Sequence, residues 1–575
     1  MKLGEALSLL RSIPIDAEPI NIYLACGFTS LHLNTLLAAE VWQLCHRKAE
    51  IQNGLYGDLS GSLRKSGASR ADFVVCIVEW SDLDPRLGIR SLGGWLPALF
   101  PDITENANRR MLEFEHVIAE VSTSVPVMLS CPTLPLPPIM FTPKEQAGSV
   151  ELELRVCISS SAARLSHLPN VKVLNVPQAG GPSEAFARLD AKSELLTGFP
   201  YNLSHAAIMA AMLARLIAEL PPKKGLITDL DDTLWKGLVG EVGPDGIGWT
   251  LDQGAQIHGL YQQLLAALAG AGVLLGAASK NDPAVVEATF ARKELILTKE
   301  HLFPIEATWE PKSRSVARIL SFWNIGADSV VFVDDSPTEL AEVAAAYPGI
   351  ECLQFPAHDW NAAYRVLEQI RDRFGKSRLL GEDLLRAQSL RRSAHAVSSL
   401  PSPSYERFLD EAKPELHVEY CRSSPDARIV ELINKTNQFN LNGKRHTFTS
   451  LRRHLQTDGG FIMGTSYKDK YGPLGKIAVV CGTRSSDAVH VETWVMSCRG
   501  FSRRIEYWCL QEIFERFGVD HVTFDFQPTQ RNAPVRDFLA NMLGAPPFSG
   551  CKLTRTGFQA QCSPSDQTVL VASYV

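Results

Sequence analysis

The stretch Gly225 to Gly240, G-L-I-T-D-L-D-D-T-L-W-K-G-L-V-G, constrains this chain more than any other, because a short apolar run passes directly into a cluster of carboxylates. Leu226 and Ile227 suit a strand buried on both faces, and Asp229, Asp231 and Asp232 follow where that strand should end. Like charges packed so closely repel one another. A hard cation relieves them, and oxygen ligands suit Mg²⁺, which binds through one or two carboxylates and keeps room for water and phosphate. A charged turn after a strand is the competing reading of the D-x-D pattern alone.

Three later stretches favour the first reading. Val273 to Ser279 (V-L-L-G-A-A-S), Trp309 to Lys312 (W-E-P-K) and Val330 to Pro337 (V-V-F-V-D-D-S-P) follow in order, two of them again apolar runs that end in polar residues. Ligands of an open parallel sheet bind beyond the carboxyl ends of its strands, so Asp229, Asp231, Ser279, Asp334 and Asp335 are expected to converge there. The set D-x-D-x-T at Asp229 to Thr233, Ser279, Lys312 and the Asp334-Asp335 pair resembles, in order, the motifs of the haloacid dehalogenase (HAD) superfamily of phosphohydrolases and phosphotransferases. The resemblance implies that Asp229 attacks phosphorus and that Asp231 is general acid and base. It implies that Thr233, Ser279, Lys280 and Lys312 bind the phosphoryl group, and that Mg²⁺ sits on Asp229, the Asp231 carbonyl and the pair Asp334 and Asp335. Either member of that pair can be the inner ligand. Asp232 and Glu339 read equally well as functional residues and as supporting or solvated ones.

At 575 residues the chain is too long for one core, and about three to four domains are expected. Its 45% hydrophobic and 21% charged content is that of a soluble globular protein. A net charge of -6 without a long basic run argues against nucleic acid as a partner. The 12 cysteines form no C-x-x-C pair, which argues against a zinc ribbon and a disulfide framework and fits a reducing cytosol. The first residues, M-K-L-G-E-A-L-S-L-L-R-S, carry too short an apolar run for a signal peptide. No stretch approaches ~18 uninterrupted apolar residues. The expectation is a cytoplasmic protein with no membrane partner.

In residues 1–220, Asn21 to Ala25, Phe73 to Val78, Val125 to Leu129 and Val171 to Val176 are apolar runs separated by helix-like stretches such as Leu31 to His46, a pattern for an α/β layer fold with a mainly parallel sheet. This segment resembles an SGNH hydrolase in degraded form. The nucleophile loop would be Gly27-Phe28-Thr29-Ser30, with Thr29 where serine is expected, and Asn202-Leu203-Ser204-His205 stands in place of a D-x-x-H pair. A histidine without its orienting carboxylate makes a poor base. The alternative is a scaffold whose Gly54 to Asp58 and Glu79 to Asp82 loops serve packing or a partner, with Trp80 packed inside. Pro221-Pro222-Lys223-Lys224 ends the helix expected from His205 to Leu220.

The HAD-like domain is expected over 221–375. Its flap, Leu234 to Trp249, is glycine-rich with a Pro-Asp-Gly turn and is expected to fold as a hairpin, followed by a helix from Gln253 to Ala269. No large cap domain fits between Thr233 and Ser279, which leaves an open site suited to a bulky or tethered substrate. A helical linker is expected over 376–405, including the serine- and proline-rich Ser398 to Tyr405.

Residues 406–575 read as α+β. Strands are expected at Leu416 to Tyr420, Gly460 to Gly464, Lys476 to Cys481, Ala488 to Met496 and His521 to Phe526, and helices at Ala427 to Thr436 and Arg504 to Phe517. The order resembles the GNAT acyltransferase fold, in which the loop before a helix cradles a pantetheine pyrophosphate. That loop would be Ser497 to Arg504, with Arg499, Arg503 and Arg504 as pantetheine-binding residues, and with Ser502 and Arg504 where small glycines are usual. A solvated helix start is the alternative reading of these arginines. Asn434 to Leu441 (N-K-T-N-Q-F-N-L), Trp494 to Arg499 (W-V-M-S-C-R) and Gln527 to Leu539 resemble the FkbH-like family, in which a HAD subfamily IIIC phosphatase is fused to a GNAT-like domain. The resemblance implies a Mg²⁺-dependent enzyme that takes a phosphoglyceryl unit from 1,3-bisphosphoglycerate, removes the 3-phosphate and loads glyceryl onto an acyl carrier protein. Family members often carry a cysteine before the first HAD strand, where this chain has Gly225. Cys498, beside Arg499 and before Arg503 and Arg504, is the remaining candidate for an acyl nucleophile. His446, Glu492, Asn437 and Gln438 are unranked candidates to flank it. Two alternatives stay open: a Mg²⁺-dependent phosphatase for another phosphomonoester, and a non-catalytic module that recruits a carrier protein.

Overall fold

The computed structural model describes residues 1–67, 69–138, 142–143, 145–175, 187–219, 221–376, 414–469, 472–497, 500–501, 503–529, 531–561 and 569–574. Two units make up the chain: Met1–Leu220 with His446–Arg453, and Pro221–Arg445 with His454–Val575.

The first unit is built on strands β1 (Pro19–Cys26), β2 (Lys48–Asn53), β3 (Phe73–Ile77), β4 (Val127–Ser130) and β5 (Val171–Val173), all parallel in the order β2-β1-β3-β4-β5. Side chains alternate across a strand. Ile22 and Leu24 therefore pack with the helices Leu31–Cys45 and Leu203–Ala218, while Tyr23 and Ala25 pack with Phe100–Ser122 on the other face. The order reverses direction between β1 and β3, and a crevice opens at such a switch point beyond the carboxyl ends of the strands. His446–Arg453 joins this unit through Thr449, whose hydroxyl donates to the Asp72 carbonyl at 3.3 Å.

The second unit holds two sheets. In the first, β6 (Gly225–Thr228), β7 (Leu274–Ser279), β8 (Ile305–Ala307), β9 (Val330–Asp334) and β10 (Glu351–Gln354) are parallel in the order β10-β9-β6-β7-β8. Leu226, Leu275 and Val333 face the helices Gln256–Gly270 and Trp360–Phe374; Ile227, Leu274 and Phe332 face Lys312–Trp323. Trp323 is fully buried across β6 and β7, and glycines make the room: a Cβ at Gly225 would lie 2.6 Å from its ring, and one at Gly276 2.9 Å.

The expected hairpin over 234–249 is not what forms. One antiparallel bridge joins Lys236 to Gly248, and Val239–Val242 is a short helix. Acidic side chains explain it, since Asp232 accepts from the Gly237 N–H and Asp231 from the Val239 N–H, groups that a hairpin ladder would need. The next helix starts at Gln256 rather than Gln253 because the side-chain Oε1 of Gln253 accepts from the Trp249 and Thr250 N–H groups and holds a turn.

The other sheet comprises β11 (Glu415–Tyr420), β12 (Phe439–Asn440), β13 (Gly460–Asp469), β14 (Gly472–Arg484), β15 (Ala488–Met496), β16 (His521–Asp525), β17 (Ser549–Thr554) and β18 (Val569–Tyr574), ordered β17-β16-β15-β14-β13-β11-β18 with β12 beside β15. β15 and β16 run parallel and pair only over Ala488 to Val491; Val495 and Met496 pair with β12 instead, so the two strands part company. The helix Ile505–Phe517 follows β15. Apart from Lys376, the expected linker of residues 376–405 lies outside the described residues. No described helix is long and apolar enough to cross a membrane.

Candidate active site

Register brings the acids together. Thr228 on β6 pairs with Val333 on β9, so the next residues, Asp229 and Asp334, stand side by side at the carboxyl end of the sheet. The Asp229 N–H donates to the Val333 carbonyl at 2.9 Å and fixes that placement. One carboxylate oxygen from each of Asp229, Asp334 and Asp335 lies within 4.8 Å of the other two. Lys312, buried at the start of its helix, sets its ammonium 2.8 Å from Asp229 and 2.5 Å from Asp334.

Three acids against one lysine leave a buried excess of negative charge, which is costly unless a cation compensates it. The titration of these groups reflects that. Burial pushes the Asp229 carboxyl up to about 6, with Lys312 opposing and Asp334 adding to the shift. Asp334 and Asp335 are raised as well, by burial first and, at Asp335, by the charge of Asp229. Burial works against the Lys312 ammonium, but Asp229 and Asp334 outweigh it and its pKa is raised. Hard oxygen donors so grouped suit a small divalent cation.

Asp231 faces a different set of partners. Its carboxylate accepts from Trp235 Nε1 at 2.8 Å, the Val239 N–H at 3.2 Å and Asn281 Nδ2 at 3.0 Å. Asp232 turns the chain at a φ of 50°. The same Asn281 amide donates to Ser279 Oγ at 3.0 Å, so one buried side chain ties Asp231 to Ser279. The sequence alone does not single out Asn281, whose signal is its place two residues beyond the strand-end serine. Thr233 Oγ1 reaches Asp335 at 3.5 Å, and His258 Nδ1 holds the Thr233 carbonyl at 3.0 Å. Lys280 pairs with Glu339 at 2.7 Å on the exposed rim.

At the head of the helix Ile505–Phe517, Arg504 adopts a φ of 56° and its carbonyl accepts from the Tyr507 N–H. Arg503 is 3.7 Å from Asp469 and lies over the Tyr467 ring. Cys498, Arg499 and Ser502 lie outside the described residues. Glu492 accepts from the Thr483 hydroxyl at 2.7 Å, and Asn437 from Arg445.

In the first unit Thr29 and His205 have separate partners. Thr29 Oγ1 donates to the Thr197 carbonyl at 3.0 Å, whereas His205 Nε2 meets Thr133 Oγ1 at 2.9 Å. The carboxylate of this network is Glu79, which accepts from the hydroxyls of Thr133 at 2.7 Å and Tyr201 at 2.6 Å. Asn202 caps the helix Leu203–Ala218 by accepting from the His205 N–H. With the Thr133 proton spent on Glu79, His205 Nε2 carries the hydrogen of its pair. Burial, helped by Arg188, pushes the His205 pKa down to about 4. Trp80 is buried and donates to the Leu134 carbonyl, a packing role.

No protein-family model and no curated protein matches the sequence. Among solved structures, the chain is similar to the N-terminal part of a Bacteroides fragilis protein that contains a phosphatase domain and was crystallised with magnesium: 18% identity over 66% of this chain and all of that one, at a TM-score of 0.52. Two further likenesses are to an uncharacterised protein of Corynebacterium glutamicum (18% identity, 27% of this chain, 98% of that one, TM-score 0.19) and to the salicylyl-acyltransferase of a tetracycline biosynthetic pathway (16%, 35% and 54%, TM-score 0.22). The first shows that the chain shares the α/β fold, with parallel sheets, of a protein that carries a phosphatase domain.

Proposed function

We propose that the chain is a Mg²⁺-dependent HAD-type phosphatase or phosphotransferase. The observation that carries this reading is the group formed by buried Asp229 and Asp334 with half-buried Asp335, the Lys312 ammonium lying between the first two. When bound, Mg²⁺ on these three carboxylates and the Asp231 carbonyl supplies the positive charge that lets a phosphate dianion approach an anionic nucleophile. Asp229 attacks phosphorus; its new oxygen–phosphorus bond forms as the ester oxygen–phosphorus bond breaks, and Asp231 gives the leaving oxygen its proton. Water then attacks the aspartyl-phosphate, passes a proton to Asp231 and releases inorganic phosphate. Ser279 accepts from Asn281, which leaves its own proton to donate to a phosphoryl oxygen. Lys312 holds charge on the same group.

The finer reading follows the FkbH-like motifs. The phosphorylated substrate is a phosphoglyceryl unit taken from 1,3-bisphosphoglycerate; Cys498 carries the acyl group, and an acyl carrier protein receives it on a pantetheine arm held by Arg499, Arg503 and Arg504. One observation favours a plain phosphatase acting on another phosphomonoester: the position of the alternative cysteine is Gly225, and Trp323 fills the space a side chain there would need. Incubation of the protein, Mg²⁺ and 1,3-bisphosphoglycerate with a carrier protein, followed by mass spectrometry, separates the readings. A glyceryl adduct that disappears in Cys498→Ala supports loading, and phosphate release alone supports the plain phosphatase. Release that survives in Asp229→Asn refutes both.

A further inference from the structure

A cavity of about 600 Å³ lies in the second unit, away from the carboxylate cluster. Lys224, Leu274, Ser329 and Gly349 form one wall, and they stand before or at the starts of β6, β7, β9 and β10. Asp229, Ser279 and Asp334 are at the other ends of β6, β7 and β9. Strands of this length, at ~3.3 Å per residue, hold the two ends roughly 13–20 Å apart, so the cavity is not the mouth of the phosphate site.

The opposite wall comes from the helix Ala427–Lys435, the residues just after it, and the neighbourhood of Arg531. Cations dominate the lining: Lys224, Arg428, Lys435, Arg503 and Arg531 against Asp328 and Glu431. That balance stands out in a chain whose net charge is -6. Both anions are committed. Asp328 pairs with Arg531, and Glu431 accepts from Arg428 Nη1 at 2.7 Å and from Lys435 Nζ at 2.6 Å. Arg428 is 8% exposed, yet its Nε has no hydrogen-bond partner. A buried guanidinium N–H without an acceptor is costly, and an acceptor entering the cavity would relieve it. Asn437 and Gln438 add neutral hydrogen-bonding groups, and Leu274, Ile325 and Met496 supply apolar surface.

A cleft lined by one sign of charge concentrates counter-ions, and guanidinium groups match phosphate oxygens in geometry. We propose that this cavity binds a ligand carrying a phosphate or diphosphate group, contacted by Arg428 and Lys435 with Arg531 at the rim. Arg503 also faces Asp469, and the excess of two positive charges that remains fits a dianion better than a single carboxylate. The site shares no residue with the carboxylate cluster and so stands apart from the phosphatase reading, whereas Arg503 belongs both to its lining and to the pantetheine-arm reading.

Equilibrium dialysis of the full chain against labelled inorganic diphosphate, in EDTA, tests it. One saturable site is expected. Arg428→Gln and Lys435→Gln should each weaken it about tenfold or more, Arg531→Gln by roughly threefold, and Lys312→Met should leave it unchanged. Arg531 is exposed, so its variant keeps the test valid if Arg428→Gln fails to fold. Competition by phosphopantetheine where inorganic phosphate does not compete assigns the group to a carrier-borne arm. Equal competition by inorganic phosphate assigns it to a free phosphorylated molecule, and either result upholds the site. Absence of saturable binding, binding untouched in Lys435→Gln and Arg531→Gln, or binding lost in Lys312→Met overturns it.

Discussion

Asn281 shows how one amide can set the chemistry of two neighbours. Its Nδ2 donates to Asp231 and to Ser279, so it orients the carboxylate proposed as general acid and leaves the serine proton free to donate. Removing it should let both side chains turn, and small misplacements of this kind cost about 10- to 100-fold in rate. Asn281→Ala is therefore expected to lower kcat by roughly that factor while KM changes less. Steady-state kinetics on a chromogenic phosphomonoester would show it; equal loss in KM alone would mean that the residue only binds. Asp229, Ser279, Lys312, Asp334 and Asp335 were legible in the sequence because each ends a strand or opens a helix in a fixed order. Asn281 was not, since an S-K-N triplet after a strand reads as an ordinary loop. Glu79 was hidden for a different reason: its partners Thr133 and Tyr201 are distant in sequence, and only the folded sheet brings them together.

Strands buried on both faces were legible as apolar runs, and β1, β3, β6, β7 and β9 fall where those runs are. The edge strand β2 was not, because Lys48–Asn53 is half exposed and carries mostly polar residues. The flap was misread because the local turn signal is real but the acids of the preceding loop claim its N–H groups. Gly225 is a third case, where absence of a side chain is itself the structural signal. Its strand and β7 leave just enough space for Trp323. Gly225→Cys should be destabilising by about 1–3 kcal/mol, the usual cost of overpacking. Pairing Gly225→Ala with Trp323→Leu should recover a large part of the loss, a coupling of roughly 1 kcal/mol or more readable from urea unfolding of the four proteins. Additive losses would mean that the ring and the glycine do not share this space.

At the scale of the whole chain, the two units carry separate reporters, and each should move one unfolding transition without the other. A ligand that binds only the folded state stabilises it, by about 2.7 kcal/mol at a hundredfold excess over its Kd. Mg²⁺ should accordingly raise the melting temperature of the second unit by roughly 3–8 °C. EDTA should reverse the gain, and Asp334→Asn should abolish it. The first unit answers to pH instead. His205 is buried, with Thr133, Tyr201 and Arg188 around it, and its pKa falls from 6.5 to about 4 on folding. The unfolded chain then binds the extra proton, so stability is full above pH 6.5 and is lost as pH falls toward 4, by up to about 3 kcal/mol. Calorimetry between those limits should show the metal-insensitive transition moving down, and His205→Gln should flatten that part of its slope. A single transition that responds to both Mg²⁺ and His205→Gln would mean that the units unfold as one, and that energy spent at the carboxylate cluster is felt across the whole molecule.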